Sequence, residues 1–148
     1  METTKINILL ADDDHDDCAF FVEALKEIPV DAHFTAVHDG MQLMETLQSA
    51  RSLPDVVFLD LNMPLKNGFE CLSEIMTNDR LKNLPVIILS TSYDFKEVDR
   101  VYEGGAHYYI RKPSQFMQLK KVIQQGLAIV ENNDVKQPKR QDFVLSDF

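Results

Sequence analysis

Two uninterrupted apolar segments, VVFL at residues 56–59 and VIIL at residues 86–89, limit the fold of this chain more than any other feature. A strand with one face in water alternates apolar and polar residues, whereas a strand covered on both faces is apolar throughout. Other elements must therefore cover both faces of the sheet that contains these segments. We predict that both are central strands of a parallel sheet.

Short apolar segments alternate with segments of helical period, which predicts an α/β fold. The predicted strands are residues 6–11, 33–37, 56–59, 86–89 and 107–110. Apolar residues spaced three and four apart predict helices at residues 18–28, 41–47, 69–76, 98–102 and 116–130. Five strand–helix pairs with right-handed crossovers form a doubly wound five-stranded parallel sheet, which binds ligands at the carboxyl ends of its strands.

The composition is that of one acidic domain, with 148 residues and a net charge of -9. The acidic excess disfavours binding to nucleic acid or anionic lipid. The sequence has neither an export signal nor an apolar run long enough to span a membrane, so we expect a cytoplasmic protein. Cys18 and Cys71 lack metal-site spacing and are interpreted as reduced core thiols. The histidines are interpreted as exposed or packed side chains: His15, His33, His38 and His107.

Five aspartates follow the first predicted strand, at positions 12, 13, 14, 16 and 17. The repulsion between so many negative charges must be offset by a cation, a helix end or water. Asp12-Asp13-Asp14 directly follow the strand, so their carboxylates lie at its carboxyl end. Asp14 is predicted to be the N-cap of the first helix, with Asp16 and Asp17 in its first turn, where the helix dipole favours each negative charge by about 0.3–1 kcal/mol.

Other polar side chains leave the sheet at the same edge, because they follow the predicted third, fourth and fifth strands. These segments are Asp60-Leu61-Asn62, Ser90-Thr91-Ser92 and Arg111-Lys112-Pro113. Carboxylates that converge without histidine or cysteine form an all-oxygen site that suits Mg²⁺. A lysine and a hydroxyl beside the metal suit a phosphoryl group. The edge therefore predicts phosphoryl chemistry on Asp60, the central acid.

Four motifs together resemble the receiver domain of two-component response regulators, over about residues 5–130. They are LLADDD (9–14), VVFLDLNMPLKNG (56–68), PVIILSTS (85–92) and GAHYYIRKP (105–113). The resemblance implies the CheY-like, flavodoxin-like fold with strand order 2-1-3-4-5. The segment at residues 78–84 and the STS sequence are also similar to standalone receivers found beside phytochrome-type kinases.

The resemblance assigns a role to each acid. Asp60 would be the phosphoacceptor, taking a phosphoryl group from a sensor histidine kinase or a histidine phosphotransfer protein. Mg²⁺ would bind to Asp60 and to the backbone carbonyl of Asn62. It would contact Asp13 directly and Asp12 through water. Phosphoryl transfer needs charge neutralisation and alignment more than covalent help, so we expect the metal to be obligatory.

The remaining motif residues are implied to neutralise charge and to switch. Lys112 would neutralise the phosphoryl group, and the peptide bond before Pro113 would be cis. Ser90 would swing toward the acyl phosphate and Tyr109 would turn inward with it. Taken singly, a serine more commonly just ends a strand, and a fixed, packed Tyr109 is as open as a switch. The side chains of Asn62 and Ser92 match positions that tune the lifetime of the phosphoryl group.

The predicted function is phosphorylation-controlled binding, with no enzymatic activity beyond self-phosphorylation and autodephosphorylation at Asp60. A downstream protein, or a second copy in a homodimer, would bind the surface formed by the fourth helix, fifth strand and fifth helix. One alternative is a phosphoryl shuttle to a histidine phosphotransfer protein. A Mg²⁺-dependent phosphohydrolase is another, but such enzymes usually carry an acid where this chain has Asn62. Flavin binding is weaker still, because no Ser/Thr/Gly-rich loop follows the first strand.

We predict a receiver domain at residues 1–130 and a polar tail at residues 131–148. Eighteen residues bury too little apolar area to form an output domain. Composition and terminal position predict that the tail is flexible. The alternative is a short docking segment, on this protein's own surface or a partner's, that contains Phe143, Val144, Leu145 and Phe148.

Overall fold

A computed structural model describes residues 5–131 and 135–145. In chain order its elements are β1 (Ile6–Ala11), α1 (His15–Lys26), β2 (Ala32–Val37), α2 (Gly40–Ser49), β3 (Val56–Leu59), α3 (Gly68–Met76), β4 (Val86–Ser90), α4 (Phe95–Glu103), β5 (Tyr108–Arg111), α5 (Phe116–Glu131), a 3-10 turn (Arg140–Asp142) and β6 (Val144–Leu145). The strands form one parallel sheet in the order β2-β1-β3-β4-β5-β6. The predicted doubly wound, flavodoxin-like fold is confirmed, with a sixth strand added beside β5.

Both central strands are buried on both faces, as their uninterrupted apolar sequences predict. Every residue of β3 and β4 is buried. Successive side chains point to opposite faces of a strand, so Val57 packs in a core with α2, α3 and α4, whereas Phe58 packs in a core with α1 and α5. The ring of Phe58 meets that of Phe21 from α1 edge to face, with centroids 5.0 Å apart. The sheet thus separates two hydrophobic cores, which fix its strands from both faces.

A helix cap fixes the loop after β1, and a close contact of a glycine fixes the start of α3 against the end of β3. The Asp14 carboxylate accepts hydrogen bonds from the backbone N–H groups of Asp16 and Asp17, at 2.9 and 3.1 Å, which confirms the predicted N-cap. Gly68 starts α3 and lies so close to β3 that a Cβ there would be 2.3 Å from the backbone oxygen of Asp60. Only glycine therefore allows α3 to start against the end of β3.

The prediction of a flexible tail is wrong for residues 135–145, which we call the C-terminal strap. Its Phe143 side chain is fully buried, with its ring centroid 5.0 Å from that of Tyr102 on α4. Val144 and Leu145 form β6 and pair with β5. Docking on the protein's own surface is thus confirmed for these three residues, whereas Phe148 lies outside the described residues. The average composition of the tail is polar, but this short apolar segment finds a complementary surface.

Polar contacts hold the rest of the strap to α4 and to the turn after it. The Tyr102 hydroxyl donates to the Pro138 carbonyl at 2.7 Å. The Gln137 amide donates to the Ala106 carbonyl at 2.9 Å, and Arg140 pairs with Asp99 at 2.7 Å. The strap therefore covers part of the surface formed by α4 and β5.

Both cysteines and His107 are buried in the core, whereas His15 and His33 are exposed. Cys18 and Cys71 are buried and unbridged, and burial raises the pKa of each thiol to about 11. His107 is buried, its Nδ1 accepts a hydrogen bond from the Val86 N–H at 3.1 Å, and burial lowers its pKa. Among the helices that the structure describes, none is long and apolar enough to cross a membrane.

Candidate functional site

The side chains predicted to form the site do meet at the carboxyl edge of the sheet. Asp12 follows β1, Asp60 follows β3, Ser90 ends β4 and Lys112 follows β5. Asp12 and Asp60 are 1% and 5% exposed, and Ser90 is fully buried. The backbone links these strand ends, because the N–H of Asp60 donates to the carbonyl of Ala11 at 2.9 Å and the N–H of Lys112 donates to the carbonyl of Ser90 at 2.8 Å. The site is therefore built on the sheet rather than on loose loops.

Three carboxylates form a group that fits a divalent cation. Asp12, Asp13 and Asp60 each place an oxygen within 4.8 Å of the others. Asp13 is exposed, so the group is open to solvent on one side. Carboxylate oxygens, supplemented by water, are the ligands that hard divalent cations prefer. The backbone N–H of Asn62 donates to the Asp60 carboxylate at 3.3 Å, and its carbonyl remains a predicted ligand.

The electrostatics of Asp60 favour a bound cation. The pKa of the Asp60 carboxyl is raised from 3.8 to about 6, because burial and the Asp12 carboxylate raise it by more than the Lys112 ammonium lowers it. An acid with such a pKa is protonated in part near neutral pH unless positive charge is added. A cation held by the three carboxylates would add that charge and keep Asp60 ionised.

Lys112 is held by three carboxylates at once. Its Nζ lies 2.7 Å from Asp12, 2.8 Å from Asp17 and 3.4 Å from Asp60. Burial by itself would lower the pKa of Lys112, but the hydrogen bonds to Asp12 and Asp17 raise it above the usual value. The lysine is therefore a fixed positive charge beside Asp60.

Asp17 also belongs to the site, and its contact with Lys112 was not predicted from the sequence. The sequence pattern predicts only that Asp17 lies in the first turn of α1, beside the positive end of the helix dipole. The available signal was helical spacing, because Asp17 lies one turn before Phe21, which packs against the sheet and is 1% exposed. This spacing directs Asp17 toward the strand ends, whereas Asp16 is exposed.

Ser90 and Tyr109 lie in a buried network behind the acids. The Ser90 hydroxyl accepts a hydrogen bond from the Ser92 N–H at 3.2 Å. Tyr109 is fully buried, and its hydroxyl donates to the Ser92 carbonyl. Burial raises the pKa of Tyr109, so the phenol stays neutral. Tyr109 points inward in this arrangement, and its role as a switch stays a prediction.

The predicted cis peptide bond before Pro113 is wrong, because the described residues contain no cis peptide bond. The trans form of an X-Pro bond is favoured by about 0.5–1 kcal/mol. With this bond trans, Lys112 already reaches all three carboxylates. The geometry of the site therefore does not require the cis form.

The fold and the acidic site together define a receiver domain of two-component signalling. The sequence model of the response regulator receiver domain matches residues 8–124, and the chain belongs to this family. Rcp1 of Synechocystis sp. is 34% identical over 122 residues, which cover 79% of this chain and 83% of Rcp1. The probable methanogenesis regulatory protein FilR2 of Methanothrix harundinacea is 30% identical over 122 residues, which cover 80% of this chain and 79% of FilR2.

Solved structures of response regulators share the fold, and two of those described next are phytochrome or bacteriophytochrome response regulators. The phosphorylated cyanobacterial phytochrome response regulator RcpA has a TM-score of 0.81 and 31% identity, covering 88% of this chain and 97% of RcpA. The Mn²⁺-bound form of Rcp1 has a TM-score of 0.76 and 33% identity, covering 90% of this chain and 99% of Rcp1. The bacteriophytochrome response regulator AtBRR has a TM-score of 0.71 and 29% identity, covering 84% of this chain and 94% of AtBRR.

Proposed function

We propose that this protein is a response regulator that is phosphorylated on Asp60 in a two-component phosphorelay. The observation that carries the proposal is the placement of Asp60 between acidic metal ligands, Asp12 and Asp13, and the ammonium group of Lys112. A carboxylate flanked by a cation site and a lysine has the charge arrangement that phosphoryl transfer requires. The cytoplasm is the proposed compartment.

Mg²⁺ is the proposed cation, held by Asp12, Asp13, Asp60 and the carbonyl of Asn62, where it would neutralise charge on the transferred phosphoryl group. A carboxylate oxygen of Asp60 attacks phosphorus as the phosphorus–nitrogen bond of a donor phosphohistidine breaks. The departing imidazole keeps the electron pair and takes up a proton. Lys112 donates hydrogen bonds to the phosphoryl oxygens. Exchange of histidine for carboxylate leaves an acyl phosphate on Asp60.

The donor class is a sensor histidine kinase or a histidine phosphotransfer protein. Similarity to Rcp1 and to phytochrome response regulators supports a phytochrome-type kinase as the donor. The proposed output is binding of a downstream protein, or of a second copy, through the surface of α4, β5 and α5. The C-terminal strap occupies part of that surface, on α4 and β5. We propose no activity beyond phosphorylation and autodephosphorylation of Asp60.

Intact-mass spectrometry after incubation with acetyl phosphate and Mg²⁺ tests the proposal. We expect one adduct of about 80 Da per chain. The adduct should be lost in Asp60→Asn and when EDTA removes the metal. Steady turnover of many phosphomonoesters would instead identify a phosphohydrolase. Transfer of the label from Asp60 to a histidine phosphotransfer protein would identify a shuttle.

A further inference from the structure

We infer that Asp17 is a positioning residue that holds Lys112 in the unphosphorylated protein and competes with the phosphoryl group for it. The inference rests on the proposed phosphorylation of Asp60. It gives Asp17 a role in setting how readily the site accepts a phosphoryl group, separate from its place in the first turn of α1.

The distances rank the partners of Lys112. Its Nζ is nearer to the carboxylates of Asp12 and Asp17, at 2.7 and 2.8 Å, than to that of Asp60, at 3.4 Å. The lysine side chain is 12% exposed and therefore has little freedom to move elsewhere. Asp12 and Asp17 thus hold the ammonium group at the side of the nucleophile rather than directly on it.

Three acids surround the Lys112 ammonium group, which has three N–H bonds. It donates hydrogen bonds to Asp17 and Asp60 and forms a close ion pair with Asp12. A phosphoryl group on Asp60 presents new oxygens and more negative charge at the same place. For Lys112 to donate to those oxygens, it must weaken at least one existing hydrogen bond. One of its three acids must therefore give up the lysine.

Exposure identifies Asp17 as the partner that gives way. The Asp17 side chain is 40% exposed, whereas the side chains of Asp12 and Asp60 are 1% and 7% exposed. Water can replace the lysine around an exposed carboxylate at small cost, but a buried carboxylate without its partner is costly. Asp17 and Lys112 also line one cavity, together with Asp12 and Pro113.

The matched test compares Asp17→Asn with Asp16→Asn, because both remove one negative charge from the same helical turn. The Asp16 side chain is exposed, and Asp17 is the one that contacts Lys112. The probe is beryllium trifluoride, an anion that mimics a phosphoryl group, titrated by calorimetry at a fixed Mg²⁺ concentration. We expect Asp17→Asn to bind it about threefold more tightly than wild type, the order expected for a half-exposed ion pair. Asp16→Asn and Asp17→Glu should bind like wild type.

Salt separates positioning from a merely structural effect. At about 1 M salt, where the screening length is about 3 Å, the difference between Asp17→Asn and wild type should shrink. Equal affinities of Asp17→Asn and Asp16→Asn, or weaker binding by Asp17→Asn, would overturn the role of Asp17. If wild type neither binds beryllium trifluoride nor is labelled by acetyl phosphate, the proposed phosphorylation of Asp60 fails instead.

Discussion

Replacing Phe143 with alanine should detach the C-terminal strap without unfolding the domain. Phe143 is fully buried, yet it belongs to a segment that packs on the outside of α4 and β5. Phe58 is equally buried, but it is on the central strand β3 and packs against α1 and α5, so it cannot leave the core. The two phenylalanines form a matched pair that differs in how the structure can respond.

The structure limits the size of the effect. A buried phenylalanine that leaves a cavity behind costs about 3–5 kcal/mol when it is truncated to alanine, and we expect this for Phe58→Ala. For Phe143→Ala the strap can collapse or leave, so the cavity contribution disappears. The loss then approaches the transfer free energy of the side chain, about 1.5–3 kcal/mol, and cannot exceed the docking free energy of the strap.

Urea unfolding and amide hydrogen exchange measure the two parts of this prediction. The Tyr109 N–H donates to the Phe143 carbonyl at 3.0 Å, and the Val57 N–H donates to the Pro85 carbonyl at 3.0 Å. In Phe143→Ala, amide exchange at Tyr109 should accelerate more than exchange at Val57. The reason is that only the hydrogen bond of Tyr109 has its acceptor in the strap. Unchanged protection of Tyr109, or a loss of stability equal to that of Phe58→Ala, would refute the reasoning.

Three further predictions concern the site. The raised pKa of Asp60, about 6 against 3.8, means that wild type loses stability as pH rises from about 4 to 6. Asp60→Asn should therefore be more stable than wild type at pH 7 by about 1–3 kcal/mol, a difference that urea titrations should show vanishing below pH 4. Asp13→Ala should abolish Mg²⁺-dependent labelling by acetyl phosphate, whereas Asp16→Ala should be labelled normally and lose about 0.3–1 kcal/mol of stability. Gly68→Ala should push the backbone of Asp60 away from α3. We expect weaker labelling by acetyl phosphate, and urea unfolding should show a free energy of unfolding that is lower by about 1–3 kcal/mol. Labelling and stability equal to those of wild type would contradict the close approach of Gly68 to Asp60.

The sequence was sufficient where a local pattern determines the structure. The uninterrupted apolar segments of β3 and β4 required cover on both faces, and the aspartate before α1 could satisfy free N–H groups only as a cap. The topology then brings the strand ends together, so Asp12, Asp60, Ser90 and Lys112 could be placed in one site. Residue types and their order along the chain contained this information.

The features that were missed depend on contacts between distant segments. The ion pair of Asp17 with Lys112 forms because α1 and the end of β5 lie side by side. The pocket for Phe143 consists of Tyr102 and Tyr109, which are brought together by α4 and β5. Because polar residues outnumber this short apolar segment, the average composition of residues 131–148 predicts a flexible tail. The trans bond before Pro113 corrects a property that had been carried over from the family resemblance alone.

The position of β6 determines where the sheet can grow. An edge strand offers unpaired N–H and C=O groups to any extended segment that meets it. In the part of the chain that the structure describes, β6 pairs with Tyr109 and Ile110 on the outer side of β5, whereas β2 forms the opposite edge. Addition of a strand beside β2 would leave the pairing of β5 with β6 intact. Addition beside β5 first requires the protein to release its own strand.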